Sequence, residues 1–434
     1  MSLMISSLYR PQGSSMKLPS IYFLCLCTLL AACSQPGDRP VTPGTTPTAA
    51  PEHWGKLEAR ATFAAVGDIL MHGDVKKSAA EAARQGWGNG GHDALWAGVK
   101  DEISSVDWAF ANLETPIAPV NNLGSKAFMF NADPAVLQSL ADTGFDMVSF
   151  ANNHVYDQGR AGFLETLGEL GKSPLDFIGA GNSCAEARQA KIRDLGGIKV
   201  AFIGASQVFN SLFNKGVNEP CVFVYERKAA LEAIAAARAA GAEAVIFSLH
   251  WGVEYETAPQ QTMIDEAHVL MEGGVDVLLG HHPHVLQPVE AYETRDGRIA
   301  AVIYSLGNFI SNQSRFYRTG LSQDAVGDPR DGAILRFDLL RKDYGKGVKR
   351  VEIANLSAQP LWTENNWAER QRGHSKETII RVIPNDTRIA QLREQLKSVT
   401  DPAQELRLRK QLETYQLRHK RATSILGDGW VYKP

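Results

Sequence analysis

Short apolar runs recur along the chain: Phe63–Val66, Trp108–Phe110, Met147–Phe150, Ile198–Ile203, Ala244–Ser248, Val275–Leu279 and Ala300–Tyr304. Runs of this length without polar alternation predict strands covered on both faces. Between them, Ala79–Arg84, Pro134–Thr143, Gly162–Gly171, Arg227–Ala240 and Gln260–Gly273 place apolar residues at helical spacing. The alanine-rich Arg227–Ala240 stretch stops at Gly241, a helix-ending signal. Strands alternating with helices predict a layered α/β domain. Ile334–Leu340 and Val348–Leu356 predict antiparallel strands that finish it, after a polar loop over residues 313–331. Residues 385–420 are charged, with Leu at helical spacing, and Asp401-Pro402 divides them. That pattern predicts a helical hairpin packed by one face.

The polar residues that follow the strands carry the chemistry. Phe63–Val66 runs into Asp68, with His72 shortly after; Trp108–Phe110 runs into Asn112-Leu113-Glu114. Met147–Phe150 leads to Asn152-Asn153-His154 and Asp157, and Ala244–Ser248 to His250 and Glu254. Val275–Leu279 leads to Gly280-His281-His282-Pro283-His284, and Ala300–Tyr304 to Gly307-Asn308. The carboxyl ends of strands form the ligand crevice of α/β sheets. These segments therefore predict one shared site.

Asp68, Glu114, Asn153, His250, His282 and His284 combine hard oxygens with imidazoles. That set suits Mn²⁺, Fe or Zn²⁺, as one or two ions, better than Ca²⁺. His154 is the candidate proton donor to a leaving group. Asp157 is the candidate that orients its ring, and Glu254 the same for His250. His72 and His281 are further candidate ligands; both also fit ordinary loop positions. Asp68 also fits a helix cap, and Asn153 and Asn308 fit turns. Lys126 could hold an anionic group or be a solvated lysine.

Composition sets the outer bounds. The 434 residues are 44% hydrophobic and 21% charged, with a formal net charge of −3. This is ordinary globular usage, and no basic excess points to nucleic acid. At the N-terminus, residues 1–15 precede Met16-Lys17 and the apolar run Ile21–Leu30, which ends in Leu30-Ala31-Ala32-Cys33. The run has the proportions of a secretory signal peptide. Its ending resembles a bacterial lipoprotein cleavage box, which implies lipidation of Cys33 and attachment to the membrane. Ser34 after it leans towards the outer membrane of a Gram-negative envelope. Cys184 and Cys221 remain in the exported part, where a disulfide is chemically permitted. The expected organisation is leader plus signal over 1–33, a Pro/Thr/Gly-rich spacer over 34–58, a main domain over 59–357, and a C-terminal extension with a helical hairpin over 358–434.

Five ordered motifs, Asn112-Leu-Glu114, Ala151-Asn-Asn-His-Val-Tyr-Asp157-Gln-Gly159, His250-Trp-Gly-Val-Glu254, Gly280-His-His-Pro-His-Val-Leu-Gln287 and Ser305-Leu-Gly-Asn-Phe309, together resemble the bacterial capsule-synthesis family called CapA or PgsA. The resemblance covers roughly residues 61–340. It implies a role in poly-γ-glutamate-type capsule synthesis or export, beside a membrane-bound polymer synthase complex, with an anionic polymer or its precursor as partner. Through that family the chain resembles calcineurin-like metallophosphoesterases, which implies a four-layer α/β/β/α sandwich and a two-metal site. Asp68 then stands for the first metal aspartate and Glu114 for the bridging carboxylate. Asn153-His154 stands for the asparagine–histidine pair, and His250, His282 and His284 for the remaining histidines. The chain has Leu70 where the superfamily opens with Asp-x-His. Three function classes follow: a metal-dependent hydrolase of phosphoester or amide bonds, a non-catalytic polymer-binding scaffold of an export complex, and a cell-wall-modifying protein.

Overall fold

In the computed structural model, residues 55–124 and 128–430 are described. The expected signal peptide, Cys33, nearly all of the spacer and Lys126 lie outside them.

The apolar runs become strands as expected. In chain order these are β1 (Lys56–Ile69), β2 (Trp108–Leu113), β3 (Met147–Ser149), β4 (Asp176–Ile178), β5 (Ala180–Gly181), β6 (Lys191–Leu195), β7 (Ile198–Ser206) and β8 (Cys221–Val222). They continue as β9 (Ala244–His250), β10 (Val277–His281), β11 (Val289–Glu293), β12 (Ile299–Ile303), β13 (Asn308–Ile310), β14 (Asp331–Asp343), β15 (Lys349–Asn365) and β16 (Ile380–Pro384). One sheet runs β16-β15-β14-β1-β2-β3-β4, with β13 beside the end of β1. A second runs β11-β12-β10-β9-β7-β6. Strands β1 to β4 are parallel, as are β7, β9, β10 and β12.

Side-chain alternation explains how the sheets stack. In β1, Ala61, Phe63 and Ala65 face the second sheet, whereas Ala64 and Val66 face helices. In β7, Val200 and Phe202 face the first sheet, whereas Ala201 and Ile203 face helices. Opposite faces of one strand thus feed two cores, because successive residues point to opposite sides. The helices Gly73–Arg84, Ala135–Thr143 and Gly159–Lys172 cover the first sheet with Val75, Leu137, Leu140 and Phe163. The helices Arg227–Ala239 and Gln261–Glu272 cover the second with Ile234, Ala267 and Leu270. Three cores between four layers make the α/β/β/α sandwich that the resemblance implies.

The C-terminal helices form as a hairpin, Asn385–Ser398 and Pro402–Leu426. Asp401 caps the second by accepting from the backbone N–H groups of Ala403 and Gln404, a favourable helix start. Ala422 and Leu426 join the core between the sheets. Strand β15 runs straight through residues 357 and 358, so the chain is continuous in one strand where a domain edge was expected. Strand β16 and the short edge strands β6 and β11 have no counterpart in the expected set. Cys184 and Cys221 form a disulfide, with α-carbons 4.9 Å apart. Among the described residues, no helix is long and apolar enough to cross a membrane.

Candidate metal centre

The carboxyl ends of β1, β2, β9 and β10 and the turn after β3 converge between the sheets, and each delivers its polar residue by a local device. Ala65 pairs with Phe110, but Asp68 pairs with Asn112, so β1 carries one residue more than β2 across that interval. This bulge reverses the alternation. Without it Asp68 would share the helix-facing side of Ala64 and Val66; with it Asp68 lies beside Asn112 on the inter-sheet side. Gly67, inside the bulge, lets the Gly307 backbone approach, since a Cβ there would lie 1.8 Å from the Gly307 carbonyl oxygen.

After β10 the chain turns through His282 at φ 99° and His284 at φ 58°. Non-glycine residues in this region cost on the order of 1–3 kcal/mol each and persist where the surroundings fix them. Contacts from both sides fix this turn, among them the Tyr255 N–H to the Pro283 carbonyl at 2.8 Å. The His282 N–H donates to Asp68 Oδ2 at 3.3 Å, and Asn308 Nδ2 donates to the His284 carbonyl at 3.2 Å.

Glu114 is the focus. It is fully buried, and its Oε1 has no hydrogen-bond partner. Three imidazole Nε2 atoms face that oxygen: His250 at 3.6 Å, His284 at 3.7 Å and His154 at 3.9 Å. These separations are too long for hydrogen bonds. An orphaned buried carboxylate oxygen is costly, yet carboxylate and imidazole together are the donors that divalent transition metals take. Donor atoms of Glu114, His282 and His284 lie within 4.8 Å of one another, as do those of Asp68, Glu114 and His250. The two trios share Glu114. His282 Nδ1 and both ring nitrogens of His281 are also buried without hydrogen bonds. The residues present therefore fit one or two divalent ions.

The electrostatics agree with that fit. Burial, then repulsion from Asp68, pushes the Glu114 carboxyl well above its ordinary range. Burial also raises Asp68, but the adjacent His281 and His284 rings outweigh it and hold the group well below its ordinary value. Burial, reinforced by His282, keeps His250 well below the usual imidazole range. Burial, reinforced by His284, depresses His282 to about 3. Neutral imidazole is the form that binds metal.

Beside the trios, His154 Nδ1 lies 2.8 Å from Asp157 Oδ2, the pairing expected from their spacing. Asp157 also accepts from the Phe130 N–H at 2.6 Å, and the Phe130 ring lies 4.4 Å from the His154 ring. Asn153 Oδ1 is 2.9 Å from His250 Nε2. His281 Nδ1 is 3.3 Å from Asp68 Oδ1. The structure thus gathers Asp68, Glu114, Asn153, His154, Asp157, His250, His281, His282 and His284.

Other candidates stand elsewhere. Glu254 is exposed and makes no hydrogen bond to His250, because the chain turns outward at Gly252, φ 87°. Asn153, expected as a ligand, lies outside both trios and faces His250 instead. His72 sits at the start of the Gly73–Arg84 helix, and its Nδ1 accepts from the Asn312 N–H at 3.3 Å. Asn308 works behind the centre, bonding the carbonyls of His284 and Pro329.

Three asparagines were given no role from the sequence: Asn112 and Asn152 were named only as strand-end residues, and Asn210 was not named. Asn112 donates to Asp68 Oδ1 at 2.8 Å and lies 3.4 Å from both Glu114 Oε2 and His250 Nδ1. Its position two residues before Glu114, on the same strand face, was the available signal. Asn152 donates to the Leu113 carbonyl and accepts from the His154 N–H. Asn210 Nδ2 lies 3.4 Å from His154 Nδ1, on a loop whose path no local pattern foretells. Near His284, a groove of about 430 Å³ is lined by Tyr255, Val285, Gln313, Phe316, Asp328 and Arg421, among others.

Comparison with known proteins places these residues in context. A family model described as bacterial capsule synthesis protein PGA_cap matches residues 62–313. The chain is 28% identical over 329 residues to the "PGA biosynthesis protein CapA" of Bacillus subtilis, covering 75% of this chain and 78% of that one. It is 26% identical over 302 residues to the "Capsule biosynthesis protein CapA" of Bacillus anthracis, covering 68% and 67%. Among solved structures it is similar to the calcineurin-like phosphoesterase YfkN of Bacillus subtilis, at 14% identity and a TM-score of 0.40 over 70% of this chain and 90% of that one.

Proposed function

Because the chain belongs to the bacterial capsule synthesis protein family PGA_cap, we propose that it is a lipid-anchored envelope protein with a metal-dependent hydrolytic site, serving synthesis or export of a poly-γ-glutamate-type polymer. The observation that carries the hydrolytic reading is the Glu114 carboxylate, shared by two ligand trios and faced at Oε1 by three imidazoles. Glu114, His282 and His284 would hold one ion, and Asp68, Glu114 and His250 a second. A bound divalent metal supplies a Lewis acid and lowers the pKa of water. His154 faces the centre through Nε2, while Asp157 holds the ring at Nδ1. That arrangement fixes the tautomer and aims a proton at a leaving group on the Nε2 side. The groove beside His284 gives room for an extended ligand. The Cys184–Cys221 disulfide suits an oxidising compartment and so supports export.

Elemental mass spectrometry on the purified full-length protein tests the centre. We expect about one or two transition-metal ions per chain, lost in His282→Ala/His284→Ala. The metal-loaded protein should then release product from a phosphodiester or a γ-glutamyl amide. If no stoichiometric metal binds even after reconstitution with Mn²⁺ or Zn²⁺, the hydrolase reading fails and a polymer-binding scaffold takes its place.

A further inference from the structure

The C-terminal helix Pro402–Leu426 lies outside the segment matched by the family model, yet it grips the backbone that shapes the metal centre. Arg418 on this helix is fully buried. Its Nε donates to Asp331 Oδ1 at 3.1 Å, and its Nη2 to Asp331 Oδ2 and, at 2.7 Å, to Asp328 Oδ1. Its Nη1 donates to the Asp324 carbonyl at 2.7 Å. One turn on, Arg421 pairs with both oxygens of Asp328 at 2.8 and 2.6 Å. Two arginines on one helix face thus hold the 324–331 segment at three points.

That segment is one step from two candidate ligands. The Pro329 carbonyl accepts from Asn308 Nδ2 at 2.8 Å, and the same amide nitrogen donates to the His284 carbonyl. Gly332, next to Asp331, bridges to Gly307. The Gly307 carbonyl in turn accepts the Asp68 N–H at 3.0 Å. The turn served by Asn308 carries His282 and His284 at positive φ, a geometry that its surroundings must impose.

We propose that Arg418, seconded by Arg421, is a positioning residue for the metal centre: it fixes Asp328 and Asp331 so that Asn308 and Gly307 hold His284 and Asp68 in ligating geometry. The helical extension is then part of the site rather than an appendage. This inference rests on the metal-centre reading given above.

The test measures Mn²⁺ and Co²⁺ affinity of the full-length protein by chelator competition, with the visible spectrum of the Co²⁺ form and the thermal midpoint of the metal-free form. Arg418→Lys keeps the charge but loses the planar fork. Arg421→Gln removes the outer pair alone. Arg238→Gln is the control; it breaks an ion pair with Asp276, before β10 and at the opposite end of that strand from His281. We expect Arg418→Lys and Arg421→Gln to weaken metal binding about tenfold and to change the Co²⁺ spectrum, while Arg238→Gln stays within about twofold. If Arg418→Lys does not fold, Arg421→Gln decides. Folded variants that bind as tightly as wild type overturn the inference alone. So does an Arg238→Gln protein that loses affinity equally at equal stability. A wild-type protein that binds no metal overturns the metal-centre reading and this inference with it.

Discussion

His72 shows how one residue records its burial in the pH dependence of the whole chain. Burial depresses its ring to about 4, against an ordinary value of 6.5. Below pH 6.5 the unfolded chain therefore takes a proton that the folded chain refuses until about pH 4. Stability from this group is present above pH 6.5 and is lost as pH falls towards 4. The loss between pH 7 and pH 5 is about 2 kcal/mol. Urea unfolding of the metal-free protein at both pH values should show a decline smaller by that amount in His72→Asn. An equal decline in both would mean that the ring is solvated. At this scale the sequence named most of the site. Asp68, Glu114, His154, Asp157 and His250 announced themselves because each closely follows an apolar run. Asn210 did not, since it reaches His154 through a loop contact between residues 56 positions apart.

At the scale of elements, glycines decide where strands can touch. Gly280 lies in β10 against β12, and a Cβ there would fall 1.9 Å from the Tyr304 carbonyl oxygen, which is backbone and cannot step aside. Gly280→Ala should push β10 from β12 and displace the histidine turn that follows. A loss of about 2–4 kcal/mol in urea unfolding is expected, together with weakened metal uptake. A variant of native stability would contradict the close approach. The strands themselves were legible because both faces are apolar. The β1 bulge was not, since one extra residue leaves no mark in composition and appears only as a register shift against β2.

For the molecule as a whole, the C-terminal region is bound into the fold by buried charge. Cutting the chain after Pro384 removes Arg418 and Arg421 and leaves Asp328 and Asp331 buried without them. It also strips Ala422 and Leu426 from the core between the sheets. Losing one side of a buried ion pair costs about 3–5 kcal/mol, so the truncated chain should lose cooperative unfolding and its near-ultraviolet circular dichroism. A truncated protein with native spectra would show that the helices are dispensable.

The sequence by itself determined the layered α/β architecture, since apolar period and helix spacing are local properties that survive in any register. It also determined the chemical character of the site, because strand ends fix which side chains enter the crevice. Only the tertiary structure decided that Glu114 is shared by two trios, that Asn112 and Asn153 rather than Glu254 attend His250, and that Arg418 is tied to the ligand turn. These relations join residues far apart in the chain. They depend on a bulge, on two histidines held at positive φ and on a buried ion network, none of which has a local signature.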